Sequence, residues 1–314
     1  MSSTQVIEGA IHTLDLNFQN FAGAIAVYLI PHAHGVLLVE CGPGSTIAAL
    51  QAGLQAHGLK TSDITDVLLT HIHLDHAGAA GWLARQGARI HVHPVGAPHL
   101  KNPDKLLSSA ARIYGDSMQT LWGDFLPVPE DQLLTHQDGE IIEIEKLQFR
   151  AVDTPGHAYH HFAYIYHDVC FTGDIGGVRL GNARHLRLPM PPPEFNLELW
   201  RESIHKLQAA FDRGEFQSIA PTHFGVFNDP AWHLKAVEQA LDDVEEWMIQ
   251  VMPTEPSTDE LKDMFMQWTQ ERSLHNGLEP NLLGPFEAAN PSWMSAYGIH
   301  RYWHKVRNAP QEAA

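Results

Sequence analysis

The 314-residue sequence predicts a layered α/β fold, sheet sandwiched by helices, with a helical module at its C-terminal end. Three observations carry this. Over the first two-thirds, short apolar runs alternate with Gly-rich turns and helical stretches, the pattern of sheets covered by helices. From Pro230 onward strand signals stop, and Leu234, Val237, Leu241, Val244 and Met248 recur at three- and four-residue steps. Four of the strand signals also run directly into a histidine or an aspartate.

Taken in order, Ala24 to Ile30 and Val36 to Glu40 read as paired strands around a turn at Pro31 to Gly35. Ser45 is placed to cap a helix running to about His57, with Ile47, Leu50 and Leu54 on one face. Asp66 to Thr70 is a buried strand, Ala77 to Gln86 a helix and Arg89 to His93 the next strand. Residues 94–136 read as a helical insertion. Strand signals return at Glu140 to Glu145, Leu147 to Val152, Phe162 to Tyr166 and Val169 to Thr172. A helix over Asn196 to Phe211 then leads to a strand at Ser218 to Ala220. Residues 1–228 are read as one domain and 229–314 as the helical module. Its second helix carries Leu261, Met264, Phe265 and Trp268, its third spans Ser292 to Val306, and the stretch between is loop.

Composition removes whole classes. At 44% hydrophobic and 18% charged the chain is an ordinary globular one. No run approaches the roughly 18 to 20 apolar residues a spanning helix needs. The first ten residues lack a basic start and an apolar signal core, so a cytoplasmic protein is expected. Cys41 and Cys170, the only cysteines, sit in apolar strand-like surroundings and read as buried free thiols. A net charge of −17 argues against nucleic acid and anionic membranes as partners. Histidine is over-used: 22, against 20 Lys and Arg together.

The densest signal is Thr70-His71-Ile72-His73-Leu74-Asp75-His76-Ala77-Gly78. On an extended segment alternate residues project the same way, so His71 and His73 reach one point. Asp75 and His76 fall where the chain turns into a helix and aim at a second point. The small residues that follow let the backbone approach whatever is bound. Imidazole with carboxylate suits Zn²⁺, Mn²⁺ or Fe ions. Three later segments repeat the strand-then-ligand arrangement: Thr154-Pro155-Gly156-His157, Thr172-Gly173-Asp174 and Pro221-Thr222-His223. Each alone is a weak signal, and four in this order form a pattern.

Over roughly residues 5 to 228 the sequence resembles the metallo-β-lactamase-fold superfamily, whose His-x-His-x-Asp-His motif and later His, Asp and His are all matched. The resemblance implies a four-layer αββα sandwich with two divalent metal ions at one end of the sheets. His71, His73 and His157 would hold one ion, Asp75, His76 and His223 the second, and Asp174 would bridge them. Zn²⁺ is the expected metal, with Mn or Fe as alternatives. Glu40 stands where many members have Asp, at a position that supports the site. Two such cations share a water, lower its pKa from 15.7 towards about 7, and generate a nucleophile for a carbonyl or phosphorus. Asp75 and Asp174 are the candidate proton shuttles.

Within that resemblance, secreted β-lactamases usually carry Cys or Ser at the position of Asp174. Glyoxalase II is nearer, with its C-terminal helices, but its His-Glu-Tyr ending is replaced here by His223-Phe224-Gly225. N-acyl-homoserine lactonases share the full ligand set, yet the tyrosine three residues after their bridging aspartate is matched by Gly177. Tyr159 is the candidate to replace it, against a packing or surface role. The expectation is a dinuclear hydrolase of a small ester, lactone or thioester. The alternatives are a phosphoester hydrolase of the same fold and a non-catalytic metal-binding scaffold. His91 and His93 are read as lining a sheet, and His160 and His161 as surface residues, with a place behind the metal ligands as the alternative. Pro189 to Pro193 is read as a rigid rim of the cleft. Trp293, Tyr297, Tyr302 and Trp303 are assigned to core packing or a homodimer contact, in a module expected to form one cleft wall.

Overall fold

In the computed structural model, which describes residues 7–181 and 183–308, the strands form two sheets. The first holds six strands in sequence order: β1 (His12–Asp15), β2 (Ala26–His32), β3 (Gly35–Val39), β4 (Ile64–Leu68), β5 (Arg89–Val92) and β6 (Leu133–Thr135). The second runs β11 (Ser218–Ala220), β10 (Val169–Phe171), β9 (Phe162–Tyr166), β8 (Leu147–Asp153) and β7 (Ile141–Ile144).

Alternation along the strands builds the layers. In β2, Ala26, Tyr28 and Ile30 face the second sheet, where they meet Phe149, Tyr164 and Phe171. Val27 and Leu29 face the other way, onto Leu50 and Leu54 of α1 (Ile47–Ala56). In β9, Phe162 and Tyr164 point between the sheets, while Ala163 and Ile165 meet α7 (Leu197–Asp212) through Ile204 and Leu207. With both faces covered, β2 and β9 are buried at every position and read as unbroken apolar runs. The edge strand β7 keeps period two, with Ile142 and Ile144 buried and Ile141 and Glu143 exposed. The result is the αββα sandwich.

Between β5 and β6 the chain makes a helical excursion of α4 (Ala97–Lys101), α5 (Asp104–Tyr114) and α6 (Met118–Trp122). The predicted insertion therefore holds a strand as well: β6 pairs parallel with β5 and closes the sheet edge. Its three residues are too short a run to read against the helical context. Ser45 does not cap α1, because a 3-10 turn at Gly44–Thr46 precedes the helix and the Ser45 hydroxyl donates to the Leu121 carbonyl. The helix predicted over Ala77 to Gln86 is two short ones, α2 (Leu74–Ala77) and α3 (Ala80–Ala84). Strand β1 carries one buried residue, Leu14, too weak a pattern to be predicted.

The C-terminal helices α8 (Pro230–Val251), α9 (Thr258–His275) and α11 (Ser292–Tyr302) complete the outer layer. Leu234, Val237 and Leu241 of α8 share one apolar cluster with Cys170 and Ile219 of the second sheet. A further helix, α10 (Leu283–Ala289), occupies what was read as loop, anchored by buried Phe286. Cys41 and Cys170 are buried and free. Among the described residues no helix is long and apolar enough to cross a membrane.

Candidate metal centre

The C-terminal ends of β4, β8, β10 and β11 open on one rim, and each strand runs on into a loop that carries part of the cluster. After β4 the chain bends at Thr70 and again at His73, which precedes α2, so Asp75 and His76 sit on the first helical turn. After β8, Gly156 at φ +137° brings His157 in, and a Cβ there would stand 2.3 Å from the Trp200 backbone. After β10, Gly173 lies against Thr70, and after β11, the Thr222 carbonyl accepts from the Ala26 amide of the first sheet. These close approaches hold the loops of both sheets together.

All seven predicted residues meet at this rim. The ring nitrogens of His71, His73 and His157 converge, with His157 Nε2 3.2 Å from His71 Nε2 and 2.8 Å from His73 Nδ1. Beside them, Asp75 Oδ2 lies 3.5 Å from His76 Nε2 and 3.4 Å from His223 Nε2. Asp174 touches both groups. Its Oδ1 is 3.3 Å from His76 Nε2 and 3.4 Å from His223 Nε2, and its Oδ2 is 3.4 Å from His157 Nε2.

The outer nitrogens of His157, His223 and His76 are tied back. His157 Nδ1 is 2.7 Å from the Pro189 carbonyl and His223 Nδ1 is 2.6 Å from the Ala24 carbonyl. A carbonyl only accepts, so these nitrogens carry the proton and Nε2 faces the cluster as a lone pair. His76 Nδ1 does the same to Glu40 Oε1 at 3.0 Å. Glu40 also accepts from the Thr70 hydroxyl at 2.5 Å and the Thr222 hydroxyl at 3.0 Å. Glu40, His71 and His76 lie close enough together to be counted as a donor group. With three hydrogen bonds already on its Oε1, however, Glu40 is an orienting carboxylate behind His76.

Burial is the largest influence on His71, His73 and His157 and lowers all three, His157 to about 3. His76 and His223 resist burial because Asp75 and Asp174 face them, and both rise above the usual imidazole range. Burial also opposes the charged forms of Asp75 and Asp174, yet neighbouring histidines hold both below the usual carboxylate range. The negative charge that favours a proton at this spot equally favours a metal cation. His76 Nε2, His223 Nε2 and Asp174 Oδ1 are buried without a hydrogen-bond partner among the described residues. Buried polar atoms are rarely left so. Inward lone pairs, ionised carboxylates and orphaned acceptors fit a divalent cation.

His160 and His161, expected at the surface, are buried. His161 Nδ1 pairs with the Thr154 hydroxyl at 2.8 Å and its ring stacks on His71 at 5.0 Å. His160 Nε2 lies 3.3 Å from Glu194. The turn after His157 folds them inward, under the loops that carry the cluster. Tyr159 points out, 43% exposed. His91 is buried in a chain of its own, 2.8 Å from Asp66 and 2.8 Å from His136.

Beside the cluster opens a largely apolar pocket of about 200 Å³, open to solvent on one side. His73, Asp75, His157 and Asp174 form its polar floor. One wall comes from α5 and α6 through Ala110, Tyr114 and Trp122, another from the C-terminal module through Ala289, Pro291 and Met294, and the rim is Pro191 to Glu194. The module is thus a pocket wall, and the aromatics assigned to packing stay out of it. Tyr302 is in the core, bonded to Glu198, and Trp293 meets Tyr114 edge-on behind the wall. Tyr114, unmarked by any sequence motif, was not anticipated.

Fold and cluster together define an αββα protein with a strand-end site suited to divalent metal. The chain belongs to the Metallo-beta-lactamase superfamily, whose family model matches residues 21–210. That membership implies divalent-metal binding. Among its relatives is ST1585 of Sulfurisphaera tokodaii, a metallo-beta-lactamase fold-containing protein, 24% identical over 62% of this chain and 72% of that one. The crystal structure of ST1585 superposes with a TM-score of 0.59 at 20% identity, covering 76% of this chain and 86% of that chain. A hydroxyacylglutathione hydrolase of Rhodopseudomonas palustris is 29% identical over 52% of this chain and 50% of its own length. An atrochrysone carboxyl ACP thioesterase of Aspergillus fumigatus is 32% identical over 44% of this chain and 35% of its own. The chain thus spans half or less of these last two relatives.

Proposed function

We propose that the protein is a dinuclear metal-dependent hydrolase of an ester, lactone or thioester with a bulky apolar part. The observation that carries the reading is Asp174, whose two oxygens face two separate donor groups beside an apolar pocket. His71, His73 and His157 would hold one cation, Asp75, His76 and His223 the other, with Asp174 shared and Zn²⁺ the first metal to test. Cations held there supply a lowered pKa to water and polarise a carbonyl oxygen. The chain's own residues do the rest. The pocket walls exclude bulk water and orient the apolar part of the substrate. Asp75 or Asp174, on the pocket floor, accepts the proton that the attacking water gives up and passes it to the leaving group. Relatives named as a thioesterase and a hydroxyacylglutathione hydrolase support acyl transfer to water as the reaction. The apolar walls and the net charge of −17 suit an acyl substrate better than a phosphoester.

The test is metal content by elemental analysis, with turnover of the loaded protein on lactone, thioester, phosphoester and β-lactam panels. Two ions per chain and turnover on the lactones or thioesters are expected. Turnover confined to phosphoesters would replace the acyl reading. Full metal loading with no turnover would leave a binding scaffold.

A further inference from the structure

The pocket floor carries two carboxylates, Asp75 and Asp174. In acyl hydrolysis the departing oxygen or sulfur gains negative charge, and a donor on the pocket wall that meets it adds to what cations at the floor would supply. On the floor, His157 presents a lone pair inward, since its other nitrogen donates to the Pro189 carbonyl. The wall that α5 and α6 build carries side chains able to donate, Lys105, Ser109, Tyr114 and Trp122.

Tyr114, the last residue of α5, lies on that wall. Its ring is clamped edge-on between Trp122, at 5.0 Å, and Trp293, at 5.9 Å. Its hydroxyl has one partner among the described residues, the Met294 thioether sulfur at 2.9 Å. A thioether is a weak acceptor, so the phenol can exchange it for a substrate atom at little cost. The neighbouring Trp122 indole N–H is buried with no partner among the described residues, so the wall holds donors that its own side chains leave unmet. Burial, and then the charge of Asp75, keep the phenol protonated.

We propose that Tyr114 is a catalytic residue that donates a hydrogen bond to the leaving oxygen or sulfur of the substrate. The inference rests on the hydrolase reading. The water oxygen bonds to the acyl carbon, the bond from that carbon to the leaving atom breaks with its electron pair going to that atom, and the phenol O–H stabilises it until it takes up the proton that the attacking water gave to the aspartate. Tyr114 ends the cycle unchanged.

The test compares wild type and Tyr114→Phe, both metal-loaded, on hexanoate esters graded from p-nitrophenyl to methyl. Loss of one such donor lowers kcat by about 100-fold, and that loss should appear with the methyl ester. It should shrink below about threefold with p-nitrophenolate, which needs little help. KM, metal content and melting temperature should stay level. As a readout free of turnover, 1-octanol binding to the metal-free protein, followed by tryptophan fluorescence, should weaken about fivefold in Tyr114→Phe. A loss equal across the series, or none, together with unchanged octanol binding, overturns the inference and leaves the hydrolase reading standing. Wild type inactive on every ester, lactone and thioester overturns that reading and the inference with it.

Discussion

Asp174 and Glu40 show how two carboxylates in one loop cluster take different work. Asp174 Oδ1 is buried without a partner and faces inward, whereas Glu40 Oε1 is saturated by Thr70, His76 and Thr222. Asp174→Ala should therefore lower the metal content from two ions to one by elemental analysis, with turnover down about 100-fold or more. Two ions retained in that variant would remove Asp174 from the bridging role. Glu40→Ala should act differently, since it strips no donor from the cluster. It frees the His76 ring and orphans two buried hydroxyls, so metal affinity should weaken about 10- to 100-fold. Stability should fall by about 2 kcal/mol or more, measured by urea unfolding.

At the scale of elements, four strands end on one rim because both sheets present strands running the same way there: β4 lies parallel to β3 and β5, and β10 parallel to β11. The loops are then locked by contacts too close for side chains. Gly156→Ala places a Cβ 2.3 Å from the Trp200 Cα at a backbone angle that L-residues avoid. The expected result is a loss of about 3 kcal/mol and a displaced His157, seen as weakened metal binding. A variant with wild-type melting temperature and metal content would show that this loop yields. The wall helices invite a size test. Ala110→Trp should fill the pocket and lower the preference for decanoyl over acetyl esters by about tenfold or more in the ratio of kcat/KM. An unchanged ratio would place the acyl group elsewhere.

Across the whole molecule, the C-terminal helices are joined to the sandwich by a buried polar contact whose protonation matters. His233 of α8 is fully enclosed and bonds the Gly176 carbonyl at 2.7 Å. Burial first, and then the neighbouring Arg179, lower its pKa from 6.5 to about 4. The unfolded chain therefore binds a proton below pH 6.5 that the folded chain refuses. Stability from this group is present above about pH 6.5, is lost progressively towards pH 4 and levels off below. The difference is about 3 kcal/mol at most. Urea midpoints should fall more steeply between pH 6.5 and 4 in wild type than in His233→Gln, whose amide also donates to Gly176 but does not titrate. Parallel slopes would show that His233 is not what the acid limb reports.

The sequence alone determined the layered architecture and brought out His71, His73, Asp75, His76, His157, Asp174 and His223 as a set. Both are written in short-range terms: apolar runs bounded by turns, and polar residues set immediately after strands. It also placed α8, α9 and α11 of the C-terminal module, whose three- and four-residue spacing is local, but not α10. Only the tertiary structure decided the surroundings. His160 and His161 read as a polar pair after a turn, and burial depends on the chain folding over them. Glu40 becomes the hub behind His76 through partners at Thr70 and Thr222, far apart in sequence. Tyr114 sits in a stretch with no motif, and faces Met294 across 180 residues of chain. Strand β6, three residues long, exists because β5 offers it an edge. In each case the deciding interaction joins residues with no periodic or spacing relation to one another, and burial and hydrogen bonding between distant segments leave no local trace in the sequence.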